Sequence, residues 1–359
     1  MKIISVIGAR PQFIKCAELS KEIRKKHTEI LVHTGQHYDT HLSDIFFKEL
    51  TIPQPDYNLG VGSGTHGKQT GEMLIRLDKV YEKENPDLVM VYGDTNSTLA
   101  GALAAVKMQI PVAHVEAGLR SYDRAMPEEI NRVAVDHMSD YLLCPTTTAV
   151  MNLSCEGRNW GVYKVGDVSV DTLLKYKDSA ESKSDIIEQL KKRVPITEKE
   201  YNLLTIHRQG NTNNRDTLAE ILQAINDYGT KTIFPMHPRF RDACYTFNIN
   251  MSDYPNIYPI DPVGYFNMLK LMMNSKKIVT DSGGIQKEAY ILGIPCITLR
   301  DTTEWQETVG WGWNVLAGTR TNSILTALSL EDPHLPRLDI FPAGASKRIV
   351  SEVLDNIVG

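Results

Sequence analysis

The stretch that most constrains the fold is Lys276-Lys277-Ile278-Val279-Thr280-Asp281-Ser282-Gly283-Gly284-Ile285-Gln286-Lys287-Glu288-Ala289-Tyr290. Ile278-Val279 is a short apolar run that reads as a buried strand, and from Ile285 the apolar residues recur at helical spacing. Ser282-Gly283-Gly284 joins the two without bulky Cβ groups. The first N–H groups of the helix can then meet an anion, and the helix dipole adds to the attraction. Glu288, about one turn along, is placed to accept hydrogen bonds from hydroxyl groups. An ordinary packing turn is the plain alternative, because Gly-Gly turns are common.

The same grammar recurs along the chain. Residues 3–7, 30–32, 88–92 and 112–115 are strand candidates in the first half. Residues 201–206, 232–234, 257–258, 278–279 and 296–297 are their counterparts in the second, and helix-like sequence separates each pair. Alternation of this kind predicts an α/β fold with mainly parallel sheets, whose ligands bind beyond the carboxyl ends of the strands. Gly8 to Arg10, Asp94 and Glu116 all fall at such ends. The 359 residues suffice for two domains of roughly 150 to 200 residues each. The pattern pauses at Val165-Gly166-Asp167, so two similar halves are expected to face each other, with residues 166–171 connecting them. A final helix over 345–358 carries Ile349, Val350, Val353, Leu354, Ile357 and Val358 on one broad face that has to be buried.

Charge and cysteine content exclude several classes. A formal charge of −5 leaves no basic footprint, which argues against a nucleic-acid partner. Cys16, Cys144, Cys155, Cys244 and Cys296 are scattered and contain no CxxC pair, which predicts reduced thiols in a cytoplasmic protein without a zinc site. The apolar run before Gly8 is too short for a signal-peptide core, and no later run is long enough to span a bilayer. No membrane association and no metal are therefore expected. His37 and His41 stand at i, i+4, but no Glu follows His37, so a zinc-protease helix is not supported.

Acids and cations separate between the halves. Asp94 in Gly-Asp-Thr, Glu116 in His-Val-Glu-Ala-Gly-Leu-Arg and Glu128 in Met-Pro-Glu-Glu-Ile-Asn-Arg are the acidic candidates. Glu128 and Glu129 also suit a helix start on electrostatic grounds alone. Carboxylates gathered at neighbouring strand ends push their pKa values apart, preparing one to donate and another to accept a proton. The second half answers with His207-Arg208, His237-Pro238-Arg239 and the Ser282-Gly283-Gly284 turn. Together with Arg10 and Lys15 they suit a clamped diphosphate, as in a nucleotide sugar. No G-x-G-x-x-G follows a strand and no Walker A pattern occurs, so neither a nicotinamide cofactor nor ATP hydrolysis is supported.

Gly8-Ala9-Arg10-Pro11, Gly93-Asp94-Thr95, His114-Val115-Glu116-Ala117-Gly118-Leu119-Arg120, Pro127-Glu128-Glu129-Ile130-Asn131-Arg132, His207-Arg208 and Thr280 to Ala289 follow one another in a specific order. In these motifs, and along nearly its whole length, the chain resembles the non-hydrolysing UDP-N-acetylglucosamine 2-epimerases. The resemblance implies a GT-B type fold, two Rossmann-like doubly wound domains facing a central cleft. Residues 1–167 with the returning C-terminal helix 341–359 would form the first domain, and 168–340 the UDP-binding second. It also implies a homodimer that needs no cofactor. UDP would be eliminated to leave a 2-acetamidoglucal and then added back with C2 inverted.

By that resemblance Asp94, Glu116 and Glu128 serve proton transfer and sugar positioning, with the choice of base left open. His207 would assist the departing diphosphate. Arg10, Lys15, Arg132, His237, Ser282, Gly283, Gly284 and Glu288 would hold the UDP-sugar. Two departures from family patterns stand out. Val115-Glu116-Ala117-Gly118 replaces the His-Gly-Gly-Glu-like stretch of hydrolysing relatives, which argues against release of free N-acetylmannosamine. Gln36-His37-Tyr38-Asp39 replaces the Gln-His-Arg-Glu-like segment of members activated by their own substrate. Enzymes acting on UDP-2,3-diacetamido-glucuronate are also similar in that region. A GT-B glycosyltransferase and a UDP-sugar sensor without turnover are the readings from other functional classes.

Overall fold

The structure, a computed structural model, describes residues 1–36, 40–334 and 336–357, leaving out the side chains of residues 40–43. His37, Tyr38, Asp39, Val358 and the side chain of His41 therefore lie outside the described residues. The chain divides into two compact units, Met1–Lys175 with Ile340–Gly359, and Tyr176–Asp339.

In the first unit the order is β1 (Lys2–Ile7), α1 (Arg10–Ile23), β2 (Thr28–His33), α2 (Thr40–Glu49), β3 (Tyr57–Asn58) and α3 (His66–Glu84). It continues with β4 (Leu88–Tyr92), α4 (Asn96–Lys107), β5 (Val112–Val115), α5 (Pro127–Met138), β6 (Tyr141–Cys144), α6 (Thr147–Cys155), β7 (Val162–Lys164) and α7 (Val168–Lys183). The seven strands pair in parallel in the order β3-β2-β1-β4-β5-β6-β7. Ile4, Val6, Val89 and Val91 of the central strands pack with Met73, Leu77 and Tyr81 of α3 and Ala100 and Ala104 of α4. Pro11 begins α1 at a position where its missing N–H costs nothing. Pro127 does the same for α5.

The second unit runs α8 (Ile186–Lys191), β8 (Asn202–Thr205), α9 (Gln209–Thr212), α10 (Arg215–Tyr228), β9 (Thr232–Pro235), α11 (Pro238–Phe247), β10 (Ile257–Ile260) and α12 (Tyr265–Met273). After these come β11 (Lys277–Thr280), α13 (Gly283–Leu292), β12 (Cys296–Thr298), α14 (Gln306–Gly310), β13 (Asn314–Leu316) and α15 (Thr321–Ser329). Its parallel sheet is ordered β10-β9-β8-β11-β12-β13. Alternate strand residues enter opposite cores. Leu204, Val279 and Ile297 pack with Ile221, Leu222 and Ile324. Leu203, Ile278 and Cys296 pack with Leu190, Leu271 and Ala289. Burial of both faces explains why these strands read as apolar runs with no polar alternation.

The segment expected to connect the halves, 166–171, runs straight into α7. The C-terminal segment is helical, with Ala345–Arg348 followed by a π-helical stretch, Ile349–Leu354, and Asp355–Ile357. Ile349, Val350, Val353 and Leu354 are buried as their spacing requires. Asp171 accepts the Gly344 and Ser346 N–H groups at 2.5 and 2.7 Å, and Arg348 Nε donates to the Val165 carbonyl at 2.8 Å. Among the described residues no helix is long and apolar enough to cross a membrane.

Candidate active site

In each sheet the winding reverses direction once, between β1 and β4 in the first unit and between β8 and β11 in the second. At such a reversal the following helices leave on opposite faces, and a crevice opens beyond the strand ends. Arg10, Asp94, His207 and Ser282-Gly283-Gly284 follow these strands, while Glu116 follows the neighbouring β5 and His237 the neighbouring β9.

In the first unit Gln12, fully buried, holds the reversal together. Its Oε1 accepts the Gly8 and Ala9 N–H groups at 2.8 and 3.0 Å, and its Nε2 donates to the Tyr92 carbonyl at 2.9 Å. The β1–α1 turn that carries Arg10 is thereby fixed to the end of β4, just before Gly93-Asp94. Lys15, one turn into α1, forms an ion pair with Glu116. A Cβ on Gly93 would lie 2.7 Å from Lys15 Nζ and 3.3 Å from Glu116 Oε2, so only glycine lets this pair close over the turn. Glu116 itself has φ 71, a left-handed conformation that a side chain rarely adopts. Asp94 is ion-paired with Arg132 of α5, and Asn131 Nδ2 donates to the Asp94 carbonyl at 2.9 Å.

The first unit thus brings together Lys15, Asp94, Glu116 and Arg132. The expected repulsion between strand-end acids does not arise as such. Each acid faces its own cation, which removes the like-charge conflict. Glu128 occupies the first turn of α5, four residues before Arg132, and among the described residues its carboxylate makes no hydrogen bond or ion pair. Glu129 is structural, accepting the Ser121 N–H at 3.0 Å and the Tyr122 N–H at 2.9 Å.

In the second unit His207 follows β8 and Asp281 follows β11. Asp281 is fully buried and accepts the N–H groups of His207 at 3.0 Å and Arg208 at 2.9 Å, and Asn211 Nδ2 at 3.1 Å. Its Oδ1 lies 3.1 Å from His207 Nδ1. Burial alone would raise the Asp281 carboxyl. The His207 imidazole, with help from Arg208, outweighs burial and brings it down from 3.8 to about 2. The His207 and His237 rings lie 5.8 Å apart, and His237 caps α11 by accepting the Arg239 N–H at 3.2 Å.

Ser282 is the N-cap of α13, its Oγ facing the Ile285 N–H. Its hydroxyl proton remains available to a ligand. Gly283 and Gly284 differ in role. A Cβ at Gly283 would fall 2.0 Å from Glu304 Oε1, whereas at Gly284 the nearest atom is 3.9 Å away. Glu304, which sequence reasoning missed, pairs with Arg300 at 2.8 Å and with Arg208 at 3.6 Å. One carboxylate of the chain therefore already lies beside the α13 N-terminus. Glu288 is buried and accepts the Tyr265 hydroxyl at 3.0 Å. Gln12, Asp281 and Glu304 were missed as site residues because each also acts through a partner distant in sequence, Tyr92, His207 and Arg208 respectively. Among the described residues no cluster of His, Cys, Asp or Glu is arranged to hold a metal ion.

The family model for UDP-N-acetylglucosamine 2-epimerase matches residues 21–351, most of the chain. The chain belongs to the UDP-N-acetylglucosamine 2-epimerase family. A Methanococcus maripaludis protein named a UDP-N-acetylglucosamine 2-epimerase homolog is 51% identical, over 99% of this chain and 100% of its own. A Pseudomonas aeruginosa UDP-2,3-diacetamido-2,3-dideoxy-D-glucuronate 2-epimerase is 46% identical over 90% of each chain. The crystal structure of Methanocaldococcus jannaschii UDP-GlcNAc 2-epimerase in complex with UDP-GlcNAc and UDP superposes with a TM-score of 0.93 at 43% identity. The match covers 99% of this chain and 100% of that one. The GT-B type fold of this epimerase family is thus the fold of this chain.

Proposed function

We propose that this chain interconverts UDP-N-acetylglucosamine and UDP-N-acetylmannosamine without a cofactor. The observation that carries the reading is the pairing of Glu116 with Lys15 and Asp94 with Arg132 around the Gly93 turn, in a chain of this family. C2–H of the sugar is not next to a carbonyl, so simple deprotonation and return is chemically poor. In the proposed route a carboxylate takes the C2 proton while the C1–O bond to UDP breaks, leaving a 2-acetamidoglucal. UDP then adds back at C1 as a proton is delivered to the opposite face of C2.

Asp94, Glu116 and Glu128 would share proton transfer and sugar positioning. Lys15 and Arg132 would keep the acids placed and answer the charge that develops on the leaving diphosphate. His207, oriented by Asp281, would assist the same group. Arg10, His237, Ser282, the first N–H groups of α13 and Glu288 would hold the UDP-sugar. Turnover in D₂O tests this: deuterium is expected at C2 of both epimers, and complete retention of the original C2 hydrogen during epimerisation refutes it.

The Pseudomonas aeruginosa relative supports a second reading, in which the sugar is the diacetamido-uronate. Parallel assays with the two UDP-sugars decide between them. A homodimer is the assembly we propose, to be measured by light scattering on the eluting protein.

A further inference from the structure

His114 is fully buried at the end of β5, and both ring nitrogens are engaged. Nε2 lies 2.7 Å from the Gly93 carbonyl oxygen. A carbonyl only accepts, so Nε2 carries a hydrogen. Nδ1 lies 2.7 Å from Asp136 Oδ1 of α5. The other Asp136 oxygen accepts Arg120 at 2.6 Å and the Gly118 N–H at 3.1 Å. Those donors favour the ionised carboxylate, which leaves the shared proton on the ring. Burial alone would raise the Asp136 carboxyl, but His114 and Arg120 hold it below the usual range. The remaining titratable groups nearby are the buried Cys144 thiol of β6, Glu156 against Arg120 at 2.7 Å, and His137 against Glu156 at 3.2 Å.

We infer that His114 is a positioning residue, held as a buried imidazolium, that locks the three candidate acids into one frame. Glu116 follows it by two residues, in the turn that ends β5. The Gly93 carbonyl that it holds belongs to the peptide plane of Asp94. Asp136 stands on the helix that carries Glu128 and Arg132. The chain from His137 through Glu156, Arg120 and Asp136 to His114 reaches the surface, yet it is no proton relay. Arginine does not release its proton, and the last acceptor is an amide carbonyl with nothing to pass on.

The test has a spectroscopic arm and a kinetic arm, and only the kinetic arm rests on the proposed epimerisation. In protein labelled with ¹⁵N-histidine, both His114 ring nitrogens are expected to carry a hydrogen-bonded proton, each seen as an N–H cross-peak of the kind that exposed imidazoles lose to rapid exchange with water. Asp136→Asn keeps both contacts, because its amide can donate to Nδ1, but it makes the ring neutral and should abolish that signature. His114→Phe is expected to lower kcat by roughly 10²-fold, with KM and UDP affinity within about twofold of the parent. His114→Gln, which can still donate to the Gly93 carbonyl, should recover much of the loss. A parent protein in which His114 lacks either N–H signal overturns the inference. So does a folded His114→Phe enzyme with parental kcat. If His114→Phe does not fold, the parent and Asp136→Asn spectra decide. A parent without epimerase activity would sink the proposed function and leave the spectroscopic arm to judge His114 alone.

Discussion

Asp281→Asn probes how a fully buried carboxylate serves a residue that is proposed to meet the substrate. The side chain keeps its shape but loses its charge, and its amide then meets N–H donors from His207, Arg208 and Asn211. The gap between 3.8 and about 2 corresponds to about 2 to 3 kcal/mol at roughly 1.4 kcal/mol per pH unit. The sign follows from a folded-state value below the unfolded one. The contribution is complete above 3.8 and is lost as pH falls through about 2, with about half remaining at pH 3. The variant should therefore be less stable by about 2 to 3 kcal/mol at pH 7, and the difference from the parent should shrink below pH 4. Urea unfolding followed by tryptophan fluorescence suits the assay, because Trp305, Trp311 and Trp313 all lie in the second unit. Equal midpoints at pH 7, or a difference that persists undiminished to pH 2.5, would refute the reasoning.

Three further outcomes are expected. Asp94→Asn and Glu116→Gln should each reduce turnover by roughly 10²-fold or more while calorimetric UDP affinity is largely kept; poor UDP binding with normal remaining turnover contradicts the assigned division of labour. Gly283→Ala should cost about 1–3 kcal/mol in thermal or urea unfolding because of Glu304, whereas Gly284→Ala should be tolerated, and the reverse ranking counts against the geometry. Gln12→Ala leaves the Gly8 and Ala9 N–H groups without their acceptor and should destabilise the first unit by roughly 2–4 kcal/mol, measured by hydrogen exchange at those amides.

Much of this fold is legible where strands are central and apolar. Leu88–Tyr92 and Val112–Val115 coincide with their apolar runs, and both end at candidate acids. The strands that escaped sequence reading are Tyr57–Asn58, Tyr141–Cys144, Val162–Lys164 and Asn314–Leu316, of two to four residues. Three of them, β3, β7 and β13, are edge strands of two or three residues with weak apolar demand. The site divides similarly. Turn residues such as Asp94, Glu116 and Ser282 announce themselves by following an apolar run. Their partners do not: Lys15 and Glu116 are 101 residues apart, and His207 and Asp281 are 74 apart. A side chain chosen by the winding of a sheet leaves no trace in local spacing. Asp136 is the plainest case, a charged helix residue that is fully buried.

The two sheets are wound alike, so their turns can be matched one to one. The turn after β4 corresponds to the turn after β11, and each carries an aspartate, Asp94 and Asp281. In the first unit the side chain is 25% exposed and paired to an arginine, whereas in the second it is sealed at 0% beneath a histidine. Equivalent slots have thus been put to opposite uses, one presented to solvent and one retired into the scaffold. The difference lies in what covers the slot, Arg132 in one and His207 in the other. A repeated winding therefore supplies spare positions in duplicate, and an acid can exchange presentation for support without any change in sheet order.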